Sequence, residues 1–196
     1  MARGEREKAM VTFPTLCIRI DADTELRVIE ERDALHIFAL TDANRLYLRQ
    51  WLPWVDGTRS VEDTYAFIRT LNIQRTSNGS FGCVVLYKRQ VAGTISFHLI
   101  DWSSRRVEIG YWLGATFQGK GLMTKACKAM VAYAFDEWHL NKVEIRCAPA
   151  NTQSCAIPQR LGFTLEGIIR QAEWLYDHYI DLKVFGMLAS EWHSFM

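Results

Sequence analysis

The sequence predicts one α/β domain: a mixed, mostly antiparallel sheet of about seven strands flanked by about four helices, in the order β-α-α-β-β-β-α-β-α-β-β. Residues 81–113 hold three apolar runs parted by the turn sequences Lys88-Arg89-Gln90 and Asp101-Trp102-Ser103-Ser104, the pattern of a strand meander. Residues 121–139 are apolar around most of a helical circumference, with Lys125, Lys128, Asp136 and His139 as a narrow polar stripe. Such a helix lies buried against a sheet. Gln118-Gly119-Lys120-Gly121 joins the two, with a strand before it and a helix after it.

The remaining elements follow in order. Leu16-Cys17-Ile18 and Leu26-Arg27-Val28-Ile29 read as a first strand, in one or two parts around Asp21-Ala22-Asp23. Asp33 stands where it would cap a helix running to about Gln50, with Leu35, Ile37, Phe38, Leu40 and Leu46 on its apolar side. Pro53 breaks that helix and leaves Trp51 and Trp54 in a connection. There they either plug a gap over the core or wall a substrate entrance. Ser60 and Asp63 open a second helix in the manner of a capping box, and Thr76-Ser77-Asn78-Gly79 ends it. After the buried helix come a strand at 142–147, a loop, and a short helix at 154–161 with Gly162 at its C′ position. Residues 163–173 and 176–188 read as two long strands joined near Trp174 or Asp177.

At 196 residues the chain is long enough for one well-buried core, and 49% hydrophobic residues give a globular composition. Residues 1–10 read as a disordered arm or an expression remnant, and 11–196 as the domain. A net charge of +1 argues against a generally basic nucleic-acid binder. No apolar run approaches the roughly 20 residues that cross a membrane. Five cysteines with no CxxC spacing suggest reduced thiols in the cytoplasm and no metal site.

The glycine turn has its own chemistry. The first amides of a helix lack intrahelical partners and sit at the positive end of its dipole, and glycine has no Cβ to keep a phosphate away. The GxxxxGK[ST] spacing of a nucleotide P-loop is absent, so that class is excluded. The order of elements and the stretch Gln118–Thr124 instead resemble the GNAT superfamily of N-acetyltransferases. Within it they resemble the RimJ/RimL type that acetylates ribosomal-protein N-termini. Glu108-Ile-Gly-Tyr-Trp-Leu113, Asn151-Thr-Gln-Ser154, Leu161–Gly167 and Gln171-Ala-Glu173 are similar to that branch as well. Met123 departs from the strict signature, which has Gly or Ala there.

The resemblance implies acetyl-coenzyme A as donor and no metal. It implies pyrophosphate on the amides of Gln118, Gly119, Lys120, Gly121, Leu122, Met123 and Thr124, although the Lys120 side chain reads better as a solvated charge than as an extra phosphate contact. It implies that the strand carrying Tyr111, Trp112 and Leu113 splays from strand 142–147, with pantetheine in the gap. Asn151 then bonds pantetheine or holds its loop. Glu173 is the expected base and Ser154 the expected acid. Their plainer readings are an exposed hairpin carboxylate and a helix N-cap. Glu108 is the rival base or one half of an ion pair, His98 a strand histidine near the cleft, and Cys155 a packing residue. The acceptor is expected to be a protein N-terminus, with Trp51 and Trp54 walling its entrance. A polyamine, an antibiotic amine, or a sensor that binds coenzyme without turnover are the alternatives. A homodimer is expected.

Overall fold

The computed structural model describes residues 17–77 and 81–195. The expected N-terminal arm, Leu16, Asn78 and Gly79 lie outside the described residues. Eight strands form one sheet: β1 (Cys17–Arg19), β2 (Thr24–Val28), β3 (Phe81–Tyr87), β4 (Gln90–Asp101), β5 (Arg106–Leu113), β6 (Lys142–Cys147), β7 (Thr164–Leu175) and β8 (His178–Leu188). Their spatial order is β1-β2-β3-β4-β5-β6-β8-β7. The count exceeds seven because the first strand divides at a turn, where Asp23 N donates to Asp21 Oδ1 at 3.0 Å.

Among the described residues six α-helices flank the sheet: α1 (Ala34–Ala43), α2 (Arg45–Leu48), α3 (Val61–Thr76), α4 (Leu122–Ala132), α5 (Thr152–Arg160) and α6 (Ala189–Phe195). α4 is the buried helix that the pattern predicts. Met123, Ala126, Cys127 and Met130 pack with Ile95, Phe97, Ile109, Ile145 and Phe185 into the main core. After Ala132 the helix loosens into a π-turn, Tyr133–Glu137, ahead of Trp138, whose ring lies 4.7 Å from Phe97. α1 and α3 cover the opposite face over β3 and β4, with Ile37, Ile68, Leu71 and Val84 in a second, smaller cluster.

Three expectations need correction. The helix from Asp33 to Gln50 is two helices, because Asn44 interrupts it. The Asn44 amide donates to Leu40 O at 2.7 Å and accepts from Ala115 N at 2.9 Å, which ties the break to the loop after β5. Asp33 does not cap α1. It stands at the N-cap position directly before Ala34, but its carboxylate turns back to accept from Glu30 N at 2.9 Å and is held by both Nη atoms of Arg27 at 3.1 and 2.6 Å. α6 is unanticipated. It is too short to show a period, yet it buries Trp192 and takes a bond from Leu188 N to Glu191 Oε2 at 2.9 Å. The capping box at Ser60 and Asp63 forms as expected. So does the left-handed Gly162, with φ 77°, after α5.

Candidate active site

β5 and β6 run parallel and pair from Arg106↔Lys142 to Ile109↔Ile145, and there the ladder stops. Both strands continue, held from outside. β5 stays paired with β4 to Leu113↔Gly93, and β6 with β8 to Cys147↔Lys183. The two therefore diverge, and a cavity of about 620 Å³ opens between their ends. Tyr111, Trp112 and Leu113 form one side of it; Asn151 and Ser154 of α5 form the other.

The glycine turn closes one end. Gly119 and Gly121 have φ of 72° and 71°, left-handed values that a side chain rarely adopts. A Cβ on either would meet nothing within 4 Å, so open space lies where a phosphate would approach. No side chain caps α4, which leaves its first amides free for an anion. Gln118, Gly119, Gly121, Leu122, Met123 and Thr124 all line the cavity; Lys120 does not. Its Nζ folds back to donate to Thr116 O at 2.6 Å. The cations at the cavity are Lys125 and Arg160, neither of which any motif marks. Lys125 pairs with Asp21 at 2.7 Å, and that hydrogen bond is the main reason the Asp21 carboxyl is lowered to about 2.

The α5 end carries hydroxyl chemistry. Asn151, not Ser154, is the N-cap: its Oδ1 accepts from Ser154 N at 3.1 Å. The Ser154 hydroxyl is thus released from capping and donates to the Tyr111 hydroxyl at 3.4 Å. Tyr111 in turn donates to Ser154 O at 3.1 Å. Burial holds the Tyr111 phenol well above its usual range, so it stays protonated. Cys147 and Cys155 touch, Sγ to Sγ at 3.0 Å, and both are buried. Burial, then its thiol neighbour, pushes the Cys147 thiol up. The buried side chain of Cys155 packs against Cys147, in keeping with the packing role expected for it.

Glu173 is on β7, outside this cavity lining. It follows a wide bulge in which Arg170, Gln171 and Ala172 stand between the pairs Ile169↔Leu182 and Glu173↔Ile180. Gln171 has φ 49° and its amide bonds Asp181 Oδ1 at 2.8 Å, so the bulge is pinned. Bulges of this kind re-aim the next side chain. Glu173 is half-buried, and burial raises its pKa. Glu108 lies in the same neighbourhood, on the face of β5 turned away from α4. Burial raises it most, Arg146 opposes that, and the charges of Glu144 and Glu173 add to it. Arg146 Nε stands 3.1 Å from Glu108 Oε2, yet neither atom has a hydrogen bond, so the contact is a charge pairing with the N–H aimed elsewhere.

Trp51 lines the cavity, whereas Trp54 sits behind it with its ring 6.0 Å from Trp112. The β7–β8 turn is tied to this segment. Tyr176 donates to Leu52 O at 2.6 Å, and the Arg49 guanidinium lies 3.9 Å from the Tyr176 ring centre. Among the described residues no cluster of three metal-ligating side chains occurs, and no helix is long and apolar enough to cross a membrane.

A family model described as an acetyltransferase (GNAT) domain matches residues 23–164. The chain belongs to that family. It is 34% identical over 178 residues to the Bacillus subtilis (strain 168) protein YdaF, covering 90% of this chain and 97% of that one. It is 30% identical over 175 residues to the ribosomal-protein-serine acetyltransferase of Escherichia coli (strain K12), covering 89% and 97%. Among solved structures, RimL, a ribosomal L7/L12 alpha-N-protein acetyltransferase in complex with coenzyme A, superposes with a TM-score of 0.86 at 27% identity, over 90% of this chain and 99% of that one. The GNAT fold expected from the sequence is therefore correct, and so is the family.

The structure gathers Trp51, Tyr111, Trp112, Leu113, Gln118, Gly119, Gly121, Leu122, Met123, Thr124, Asn151 and Ser154 around one cavity. It leaves Lys120, Trp54 and Glu173 off that lining. Tyr47, Phe117, Lys125, Gln153 and Arg160 line the cavity without having been anticipated. Helical spacing links Tyr47 to Trp51 across one turn, a signal that was available but shared with every helix.

Proposed function

We propose that this GNAT enzyme transfers the acetyl group of acetyl-coenzyme A to the α-amino group of a protein N-terminus, a ribosomal protein in the first place. The observation that carries the proposal is the gap between β5 and β6, with an uncapped helix start at one end and the Ser154–Tyr111 hydroxyl pair at the other. The residues fit the donor. Amides of Gly119 through Thr124 would hold its pyrophosphate, and unpaired backbone along Tyr111–Leu113 would hold pantetheine and polarise the acetyl carbonyl. The bound donor supplies the acetyl thioester.

The chain supplies proton management and position. A protein α-amino group has a pKa of about 7.7–8.0 and is largely protonated at neutral pH. Glu173, raised by burial, takes a proton from it directly or through water. The neutral amine then forms the C–N bond as the C–S bond breaks. Ser154, with Tyr111 behind it, gives the leaving sulfur its proton. A strongly acidic groove would favour a polyamine. Here Glu108 and Glu144 are offset by Arg146 and Lys142 at 3.0–3.1 Å, which favours a peptide end.

The E. coli relative and RimL are ribosomal-protein acetyltransferases, which supports the same class of acceptor. A cytoplasmic location and a homodimer belong to the same reading. β7 is an outer strand with Leu165, Ile168 and Ile169 exposed, and a second copy of the chain is the partner we assign to it. The test is to follow thiol release from acetyl-coenzyme A against peptide N-termini, polyamines and aminoglycosides. Release with peptides supports the proposal. Release with small amines alone replaces the acceptor, and tight coenzyme binding without release makes the protein a sensor.

A further inference from the structure

His98 lies on β4, outside the cavity lining. It is the cross-strand partner of Glu108, on the face of the sheet opposite α4. Gly110, two residues further along β5, lies inside the strand and outside the left-handed region, so no turn requires glycine there. What requires it is the imidazole: a Cβ at 110 would lie 2.7 Å from both His98 Cδ2 and Nε2. The ring is thus laid across β5, on the way from Glu108 to Trp112. A second feature concerns backbone. The β4–β5 register shifts directly after His98, and Leu99 takes a left-handed φ of 47°. A non-glycine residue in that region is strained, and such strain gathers where a side chain has to be aimed. Glu173 follows a bulge of similar build, with Gln171 at φ 49°. Among the described residues neither ring nitrogen of His98 has a hydrogen-bond partner, although the ring is mostly buried.

We propose that His98 is a second proton acceptor for the amine, working beside Glu173 and held in place by Gly110. This rests on the acetyl-transfer reading. Between ammonium and amide the nitrogen gives up two protons; one reaches solvent, and the departing sulfur ends with one as a thiol. Glu173 takes the first. The second leaves a nitrogen already bonded to the acetyl carbon, which is a stronger acid and needs only a weak base. His98 suits that task, since burial lowers its pKa and keeps it neutral. The N–H bond of the substrate breaks, one forms on the imidazole, and His98 then passes the proton to water, from which Ser154 recovers the one it gave to the sulfur.

The charged groups around it fit a relay. Glu108 faces it across the strands, Arg146 and Glu144 stand beyond on β6, and Glu173 is on β7. Arg106 and Lys142 balance Glu144. α1 and α3 contribute Ile37, Ile68 and Leu71 to this face, while His36, Glu62 and Arg69 are exposed.

The test is steady-state kinetics of His98→Gln and Gly110→Ala across pH. His98→Gln should lower kcat about 100-fold, in the range for one acid–base group, with KM for acetyl-coenzyme A and the melting temperature unchanged. Its kcat profile should lose one ionisation on the acid side. Gly110→Ala keeps the imidazole but displaces it, and should lower kcat in the same direction by a smaller factor. Parental kcat and pH profile in both variants would make His98 a packing residue and overturn the inference alone. Absence of thiol release by the parent protein would overturn the acetyl-transfer reading and this inference with it.

Discussion

The two sides of the β5–β6 gap work through different parts of the chain. On the donor side the working groups are backbone: amides at the start of α4, two left-handed glycines, and the strand edge from Tyr111 to Leu113. On the proposed acceptor side stand side chains, His98, Glu108, Glu144, Arg146 and Glu173; burial raises Glu108 most, Arg146 opposes that, and the charges of Glu144 and Glu173 add to it. Backbone sites are built by local sequence and tolerate few replacements. Side-chain sites are assembled from four strands and can be tuned one residue at a time. A donor shared across a family and an acceptor that varies within it would call for this division.

Substitutions on the donor side should break binding outright. Gly121→Val forces a branched side chain into a left-handed position and fills the open space of the cradle. It should weaken coenzyme A binding at least about 100-fold by calorimetry, roughly the loss of two charge-assisted hydrogen bonds. Binding like the parent's would remove the phosphate from this turn.

Substitutions on the acceptor side should leave coenzyme binding intact and change rate. Glu173→Gln should lower kcat by about 100-fold. The loss should be greatest between the raised Glu173 pKa and the pKa of the amine, and should narrow above the latter, where the amine is already neutral. A flat ratio across pH would move the role to Glu108 or to water. Stability changes the opposite way. The folded pKa of Glu173 is raised above its unfolded value, so the favourable contribution is present in acid and lost as pH rises through the folded pKa. Gln mimics the protonated form, and the variant should melt higher than the parent at neutral pH, with the gap closing in acid.

Ser154 sits at the boundary of the two sides. Its hydroxyl is not the cap of α5, so Ser154→Ala should leave the melting temperature close to the parent's while lowering kcat by about 100-fold at most, the low end for loss of an acid. A large fall in melting temperature would mean the hydroxyl holds structure instead. Lys120→Ala is the smallest expected effect. With its Nζ on Thr116 O, coenzyme affinity should change by less than about 2-fold, within what surface charges usually contribute.

The same division explains what could be read from the sequence. Gln118–Gly121 and the helix after it are contiguous, so the turn, its two glycines and the buried α4 were visible as pattern. The C′ glycine at 162 and the Ser60–Asp63 box were visible for the same reason. The break at Asn44 was not, because its cause is a bond to Ala115, more than seventy residues later. Neither was the exchange of roles by which Asn151 caps α5 and frees Ser154. A helix placed at 154–161 makes Ser154 its cap, whereas α5 begins at Thr152. On the acceptor side, Glu108 and His98 were visible as residues but not as neighbours of Arg146 and Gly110. Those contacts depend on the strand register, which shifts after His98 and again before Glu173. Lys125 and Arg160 reach the cavity from helices whose exposed faces carry no distinguishing pattern.

A peptide with a free N-terminal amine and an internal lysine is incubated with acetyl-coenzyme A and the protein, and compared with the same peptide blocked at its N-terminus. Thiol release and a gain of one acetyl group are expected at the N-terminal nitrogen of the free peptide, with none on the blocked one. Equal acetylation of both peptides, or none of either while coenzyme A binds tightly, would contradict acetyl transfer to a protein N-terminus.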